Sequence, residues 1–190
     1  MNGKAHRGAV LRVNKALDKP FPETALTAGA VDPDQKEYDS YRGPEYKHHY
    51  DDISAGSSLN NTPVIEGVVW RRLQWARRAW LSDEADKAAF HFGVASHFLL
   101  DGLIVSPSVS EDEHARGDRT FSRRVGKLRI EAGELPGKTG TAWVVRRVKN
   151  ASDYYGRNDP GVLEPVCELL MQMGAGVTDD AVPQSLKAAT

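Results

Sequence analysis

The stretch AFHFGVASHFLLD, residues 89–101, is apolar at almost every position, and its residues recur with the period of an α-helix. A helix that is apolar nearly all round is typical of a protein core. Within it Gly93, His97 and Asp101 are spaced by four, so they share one face. The pattern predicts a central helix whose imidazole and carboxylate converge on one point, with room at Gly93 for another backbone or a ligand. Two interpretations of the pair remain open, a hydrogen bond within the core and a shared metal ion.

Helical spacing of apolar residues continues on both sides of this stretch. Further helices are predicted at residues 6–17, in a short segment before Asp32, at 63–80, at 114–125, at 141–155 and at 161–173. Ser82 is the predicted N-cap of the central helix, which must end before Pro107. The polar segment between residues 35 and 61 is a predicted loop of a length that is usually functional. No strand pattern is convincing, so the fold class is all-α, a single-domain helical bundle with a long polar loop over a metal cluster.

Composition narrows the function classes. The 190 residues carry a formal net charge of −1, which gives no general attraction for nucleic acid. The single cysteine, Cys167, lies in an apolar helical pattern and is expected to be a packed thiol without redox chemistry. With no apolar run for a membrane span or a signal peptide, a cytoplasmic location is expected. Residues 1–178 are predicted to form one domain, and 179–190 a flexible tail.

Imidazole and carboxylate side chains recur along the first two-thirds of the chain, and all six histidines lie before residue 115. His6 falls on the inward face of the first predicted helix, and His114 and Asp118 repeat the spacing of four. Without thiolate, such residues form the ligand set expected of catalytic zinc. In chain order the candidate ligands are His6, Asp34, His48, His97, Asp101, His114 and Asp118.

This order resembles the zinc-dependent phospholipase C family, which is related to the fungal zinc single-strand nucleases. GAVDPD is similar to the family's Gly-x-x-x-x-Asp turn and points to Asp34, and KHHYD is similar to Ser-His-x-Tyr-Asp and favours His48. The central helix is similar to the family's aromatic-Leu-Gly-x-x-x-His-Tyr-x-x-Asp helix, and HARGD to its His-x-x-x-Asp helix start. In the family, a histidine near the N-terminus binds metal together with the terminal amine, which here implies His6 and Met1.

The resemblance implies a helical fold that binds two to three Zn²⁺ ions. A first zinc would be held by Asp34, His48, His97 and Asp101. A third would be held by the Met1 amine, His6 and the bridging Asp101. The second would use His114 and Asp118, but the family's further histidine, six residues after the central aspartate, is replaced by the stretch containing Pro107 and Ser108.

The activity implied is hydrolysis of a phosphodiester by metal-activated hydroxide, with Asp34 and Asp101 at the catalytic centre. The expected substrate is a phosphodiester such as a phospholipid head group. One alternative is a single-strand nuclease, for which Arg71 to Arg78 would supply cations; a solvated basic face is the simpler interpretation of those arginines. Another is a metal-binding family member with reduced catalysis, which the missing histidine favours. Asp32 is a candidate to orient a ligand histidine, and His91 faces away from His97.

Overall fold

The computed structural model describes residues 3–35, 62–102, 111–128, 130 and 160–178, and within these ranges all regular structure is helical. The α-helices described are α1 (Gly3–Ala16), α2 (Glu23–Gly29), α3 (Asp32–Gln35), α4 (Thr62–Leu81), α5 (Ala85–Asp101), α6 (Glu111–Lys127) and α7 (Leu163–Thr178), and a 3₁₀ turn at Pro160–Val162 leads into α7. The all-α prediction is confirmed. No helix in the described ranges is long and apolar enough to cross a membrane. The predicted loop after residue 35, the predicted helix at 141–155 and the tail at 179–190 lie outside them.

Helix α5 is the centre of the fold, as the apolar pattern predicts. Every residue from Phe92 to Asp101 is buried, and the helix packs chiefly against α4 and α2. The Phe92 ring stacks on Phe21 with centroids 4.7 Å apart, and the edge of Trp80 meets Phe21 at 5.9 Å. This aromatic contact joins Phe21, in the connection between α1 and α2, to helices α4 and α5. The polar side chains of His97 and Asp101, at the C-terminal end of α5, therefore lie in a packed interior.

The predicted N-cap at Ser82 is wrong. The Ser82 N–H donates to the Arg78 and Ala79 carbonyls, so this residue belongs to the end of α4. Asp83 then adopts φ 61°, and the Glu84 N–H reaches back to Ala79. This is the left-handed termination that ends many helices, and it shifts the start of α5 to Ala85.

Two further boundaries differ from the sequence prediction. Helix α6 begins at Glu111, three residues before the predicted start at His114. The segment around Pro33, predicted as a turn, is the single helical turn α3. Proline fits a first turn because its missing N–H would have no intrahelical acceptor there.

Asn14 joins the end of α1 to the start of the next segment. Its side chain is fully buried, its amide Nδ2 donates to the Phe21 carbonyl at 2.9 Å, and its Oδ1 accepts the Phe21 N–H at 3.1 Å. Asp18 and Lys19 complete the turn between them with φ of 63° and 60°. The connection is therefore fixed by one amide that satisfies both backbone groups of Phe21.

Asn14→Ala should lower the free energy of unfolding by about 2–4 kcal/mol, because the Phe21 N–H and carbonyl would stay buried without partners. Urea unfolding followed by circular dichroism measures the change. Thr27→Ala is the control, since its hydroxyl bonds only to carbonyls within α2; it should change stability by no more than about 0.5 kcal/mol. Equal effects of the two substitutions would contradict the role given to Asn14.

Candidate metal centre

Three helices bring ligand-type side chains together at the C-terminal end of α5. Helix α1 supplies His6, and α5 supplies His97 and Asp101; one ligand atom from each of the three lies within 4.8 Å of the others. Helix α3 adds Asp34 beside His97. Residues that are far apart in the sequence thus meet at one point.

Asp101 lies between the two imidazoles. Its Oδ1 is 3.0 Å from His6 Nε2, and its Oδ2 is 3.2 Å from His97 Nε2. Asp34 Oδ1 approaches the same His97 nitrogen at 3.7 Å. The spacing of four within α5 therefore converges as expected, and two carboxylates face a single imidazole nitrogen.

The other nitrogen of His97 is held by the backbone. Nδ1 lies 3.0 Å from the carbonyl oxygen of Ala30, at the end of α2. Because a carbonyl only accepts, Nδ1 carries the proton, and in the neutral ring Nε2 presents a lone pair toward Asp101 and Asp34. Lone pairs facing carboxylate oxygens repel, and a cation at this position, either a proton on Nε2 or a metal ion, relieves that repulsion.

His6 is in a different situation. Its ring is fully buried and stacks on His97, with centroids 4.1 Å apart and an interplanar angle of 24°. Among the described residues, neither His6 nitrogen meets hydrogen-bond geometry with a partner, although Nε2 lies so close to Asp101. The short approach of His6 Nε2 to Asp101 Oδ1 suits either a hydrogen bond or two ligands to one ion.

Electrostatics separate the two imidazoles. Burial and the neighbouring His97 lower the pKa of His6 to about 3, so His6 stays neutral, as a metal ligand must. Burial also opposes charge on His97, but the Asp101 carboxylate, with help from Asp34 and the Ala30 carbonyl, raises the pKa of His97 above its ordinary value. A raised imidazole pKa is the mark of a place where positive charge is stabilised.

The cluster could hold a metal ion. Nitrogen and oxygen ligands lie about 2.0–2.2 Å from Zn²⁺, so two of them in a tetrahedral site are about 3.3 Å apart. The pairs His6–Asp101, His97–Asp101 and His97–Asp34 are 3.0–3.7 Å apart, and one ligand atom each from His6, His97 and Asp101 lies within 4.8 Å of the others. The hydrogen bond from His97 to a carbonyl is also how proteins orient a metal-bound imidazole. Both imidazoles are wholly buried, whereas the Asp34 side chain is 29 % exposed and is the most accessible of the four side chains.

The remaining predicted ligands are not placed by these contacts. Met1 and His48 lie outside the described residues. His114 and Asp118 fall on α6, whose backbone is described there, but their side chains lie outside the description. Some of the residues predicted for the first and third zinc sites thus lie together. The second zinc site stays a prediction.

His91 lies away from the cluster, as the helical wheel predicts. Its Nδ1 is 3.4 Å from Arg72 Nη1, and its ring lies 5.4 Å from that of Trp75. Burial and the Arg72 guanidinium lower the pKa of His91 to about 4. The arginine also lies 4.8 Å from the Trp75 ring centroid, a cation–π contact.

Two of the four arginines of α4 are not part of the solvated basic face expected from the sequence, whereas Arg78 is exposed. Arg72 is only 4 % exposed, and Arg77 donates to the Val177 carbonyl of α7 at 2.7 Å. Their hydrocarbon stems and charged heads are used in packing α4 against its neighbours. This leaves fewer cations on the surface for a nucleic-acid backbone.

One contact of the cluster was missed by the sequence analysis. Asp32 was the candidate for orienting a histidine, but for His97 this role belongs to the Ala30 carbonyl. Every residue has a backbone carbonyl, so the identity of residue 30 gives no indication of this contact. The available hint was the glycine one turn before His97, which indicated a close neighbouring backbone.

No protein-family model, curated protein or solved structure matches the chain. Support for a function therefore comes from the geometry of the cluster and from the order of ligand-type residues along the chain.

Asp101→Asn should bring the pKa of His97 below its ordinary value in the chelator-treated protein, because burial would then act without the main opposing charge. NMR titration of the His97 ring measures it, with Asp34→Asn as a comparison that should cause a smaller fall. The raised pKa stabilises the metal-free fold below about pH 6.5, and this contribution is lost as the pH rises through the folded-state pKa. An unchanged His97 pKa in Asp101→Asn would contradict the assignment of Asp101 as the main partner.

Proposed function

We propose that the protein is a zinc-dependent phosphodiester hydrolase whose chemistry is like that of the zinc-dependent phospholipase C family. One observation carries this proposal: His97 Nε2, directed by the Ala30 carbonyl, faces two carboxylates and the stacked His6 at distances that suit ligands of a shared ion. The donor set of nitrogen and oxygen without sulfur suits a catalytic rather than a purely structural zinc ion.

The residues of the cluster have separate roles in this proposal. His6 and His97 supply neutral nitrogen ligands, and Asp101 supplies one oxygen toward each imidazole and so links the two. Asp34 is the most exposed member. It therefore lies where a substrate and an attacking water would enter, and its carboxylate can accept the proton of that water.

Bound zinc would polarise a phosphoryl oxygen and lower the pKa of a coordinated water from about 16 toward 7. The protein would contribute a fixed ligand geometry and a buried environment around the imidazoles that excludes water. Substrates to be compared are a phospholipid with a phosphodiester head group, a small chromogenic phosphodiester and single-stranded DNA. The packing of Arg72 and Arg77 into the fold favours the first two over the nucleic acid.

A second candidate is a zinc-binding protein without turnover. Complete burial of both imidazoles favours it, since closed sites are typical of structural zinc. The two candidates differ in a simple way: both bind zinc, but only the first hydrolyses a phosphodiester when zinc is bound. Bound zinc without hydrolysis of any of the three substrates would select the second candidate.

Asp101→Ala should remove the bound metal and reduce phosphodiesterase activity to background, because this carboxylate contacts both imidazoles. Metal analysis of purified protein, alongside hydrolysis of bis(p-nitrophenyl) phosphate, tests both effects. Asp32→Ala should weaken activity less.

Asp86→Ala is the matched control, since Asp86 is an exposed carboxylate in the first turn of the same helix, α5. It should retain metal content and activity. Equal metal content in the wild type and Asp101→Ala would reject the metal centre.

A further inference from the structure

Helix α2 crosses α5 with its backbone directly against that of α5. A Cβ atom added to Gly93 would lie 2.3 Å from the Leu26 carbonyl oxygen and 2.7 Å from the Ala30 nitrogen. A Cβ added to Gly29 would lie 2.1 Å from the carbonyl oxygen of Phe90. Atoms in ordinary contact are about 3.5–4.0 Å apart, so neither position has room for any side chain.

This crossing lies one helical turn before His97. Ala30 caps the C-terminus of α2, where helix carbonyls lose their intrahelical donors. Its carbonyl is thereby available to the His97 Nδ1–H at 3.0 Å. The same segment continues into α3, which carries Asp34 to the other nitrogen of the ring. The distance between α2 and α5 therefore sets two contacts of His97 at once.

We propose that Gly93 is a positioning residue for the metal centre, an inference that rests on the proposed zinc site. By admitting the α2 backbone, Gly93 holds the Ala30 carbonyl on His97 Nδ1, which fixes the proton there and directs Nε2 toward the ion. A side chain at position 93 would push the helices apart by about 1 Å. That displacement would break the hydrogen bond, because a contact stretched well beyond 3.5 Å no longer counts as one.

The test is the affinity for Zn²⁺ of Gly93→Ala, measured by competition with a chromophoric chelator. Contacts that orient a metal-bound histidine are worth about 10–100-fold in metal affinity, so Gly93→Ala should bind zinc at least tenfold more weakly. Gly67→Ala is the matched control: Gly67 is helical, in α4, and a Cβ there meets nothing within 4 Å. It should bind zinc as the wild type does.

A role in packing alone would lower stability without changing the ring of His97. The second measurement is therefore the ¹⁵N spectrum of His97 in metal-free protein, at a pH where the ring is neutral. The wild type and Gly67→Ala should show the proton on Nδ1. Folded Gly93→Ala should show a mixture of tautomers or a proton on Nε2.

The outcomes separate the two proposals. A wild type with the Nδ1 proton that takes up no zinc contradicts the proposed function, and with it any role of Gly93 toward a metal. A wild type that binds zinc, together with a folded Gly93→Ala of equal affinity and unchanged tautomer, overturns the positioning role. If Gly93→Ala does not fold, the wild-type spectrum decides, since a proton on Nε2 of neutral His97 overturns the inference.

Discussion

The Asp101 carboxylate, held in the interior between two buried imidazoles, is the interaction on which the rest of this arrangement depends. An isolated ionised carboxylate is too costly to bury, and here its two oxygens approach nitrogens from α5 and α1. One side chain thus connects the first helix to the central one. The positive charge that this carboxylate stabilises on His97, whether a proton or a metal ion, balances the cost of its burial.

The local part of this centre could be predicted from the sequence. The period of an α-helix alone places His97 and Asp101 on one face, and the glycine before them indicates a close approach by another backbone. The structure confirms both, and α2 is the neighbour. Burial of α5 also follows from its apolar composition, because a helix without a polar face has no surface to present to water.

The contacts between residues far apart in the sequence depend on how the helices pack, which the helical repeat of apolar residues does not predict. His6 could be assigned to an inward face, but its stacking on His97 depends on how α1 lies across α5. The Ala30 carbonyl carries no residue-type signal at all. Ser82 was misassigned because its type suits a helix start, whereas the left-handed Asp83 beside it makes Ser82 part of a helix end. The resemblance implied which residues belong together, and the geometry places Asp34 beside His97.

The contact between His6 and Asp101 has a consequence for the unfolded chain. An ion bound by both would close a loop of about 95 residues, and cross-links over long loops restrict the unfolded ensemble most strongly. With one cysteine, Cys167, the chain has no intramolecular disulfide to serve this purpose. A metal ion at this point would act as a reversible cross-link that joins α1 to α5 for as long as the ion stays bound.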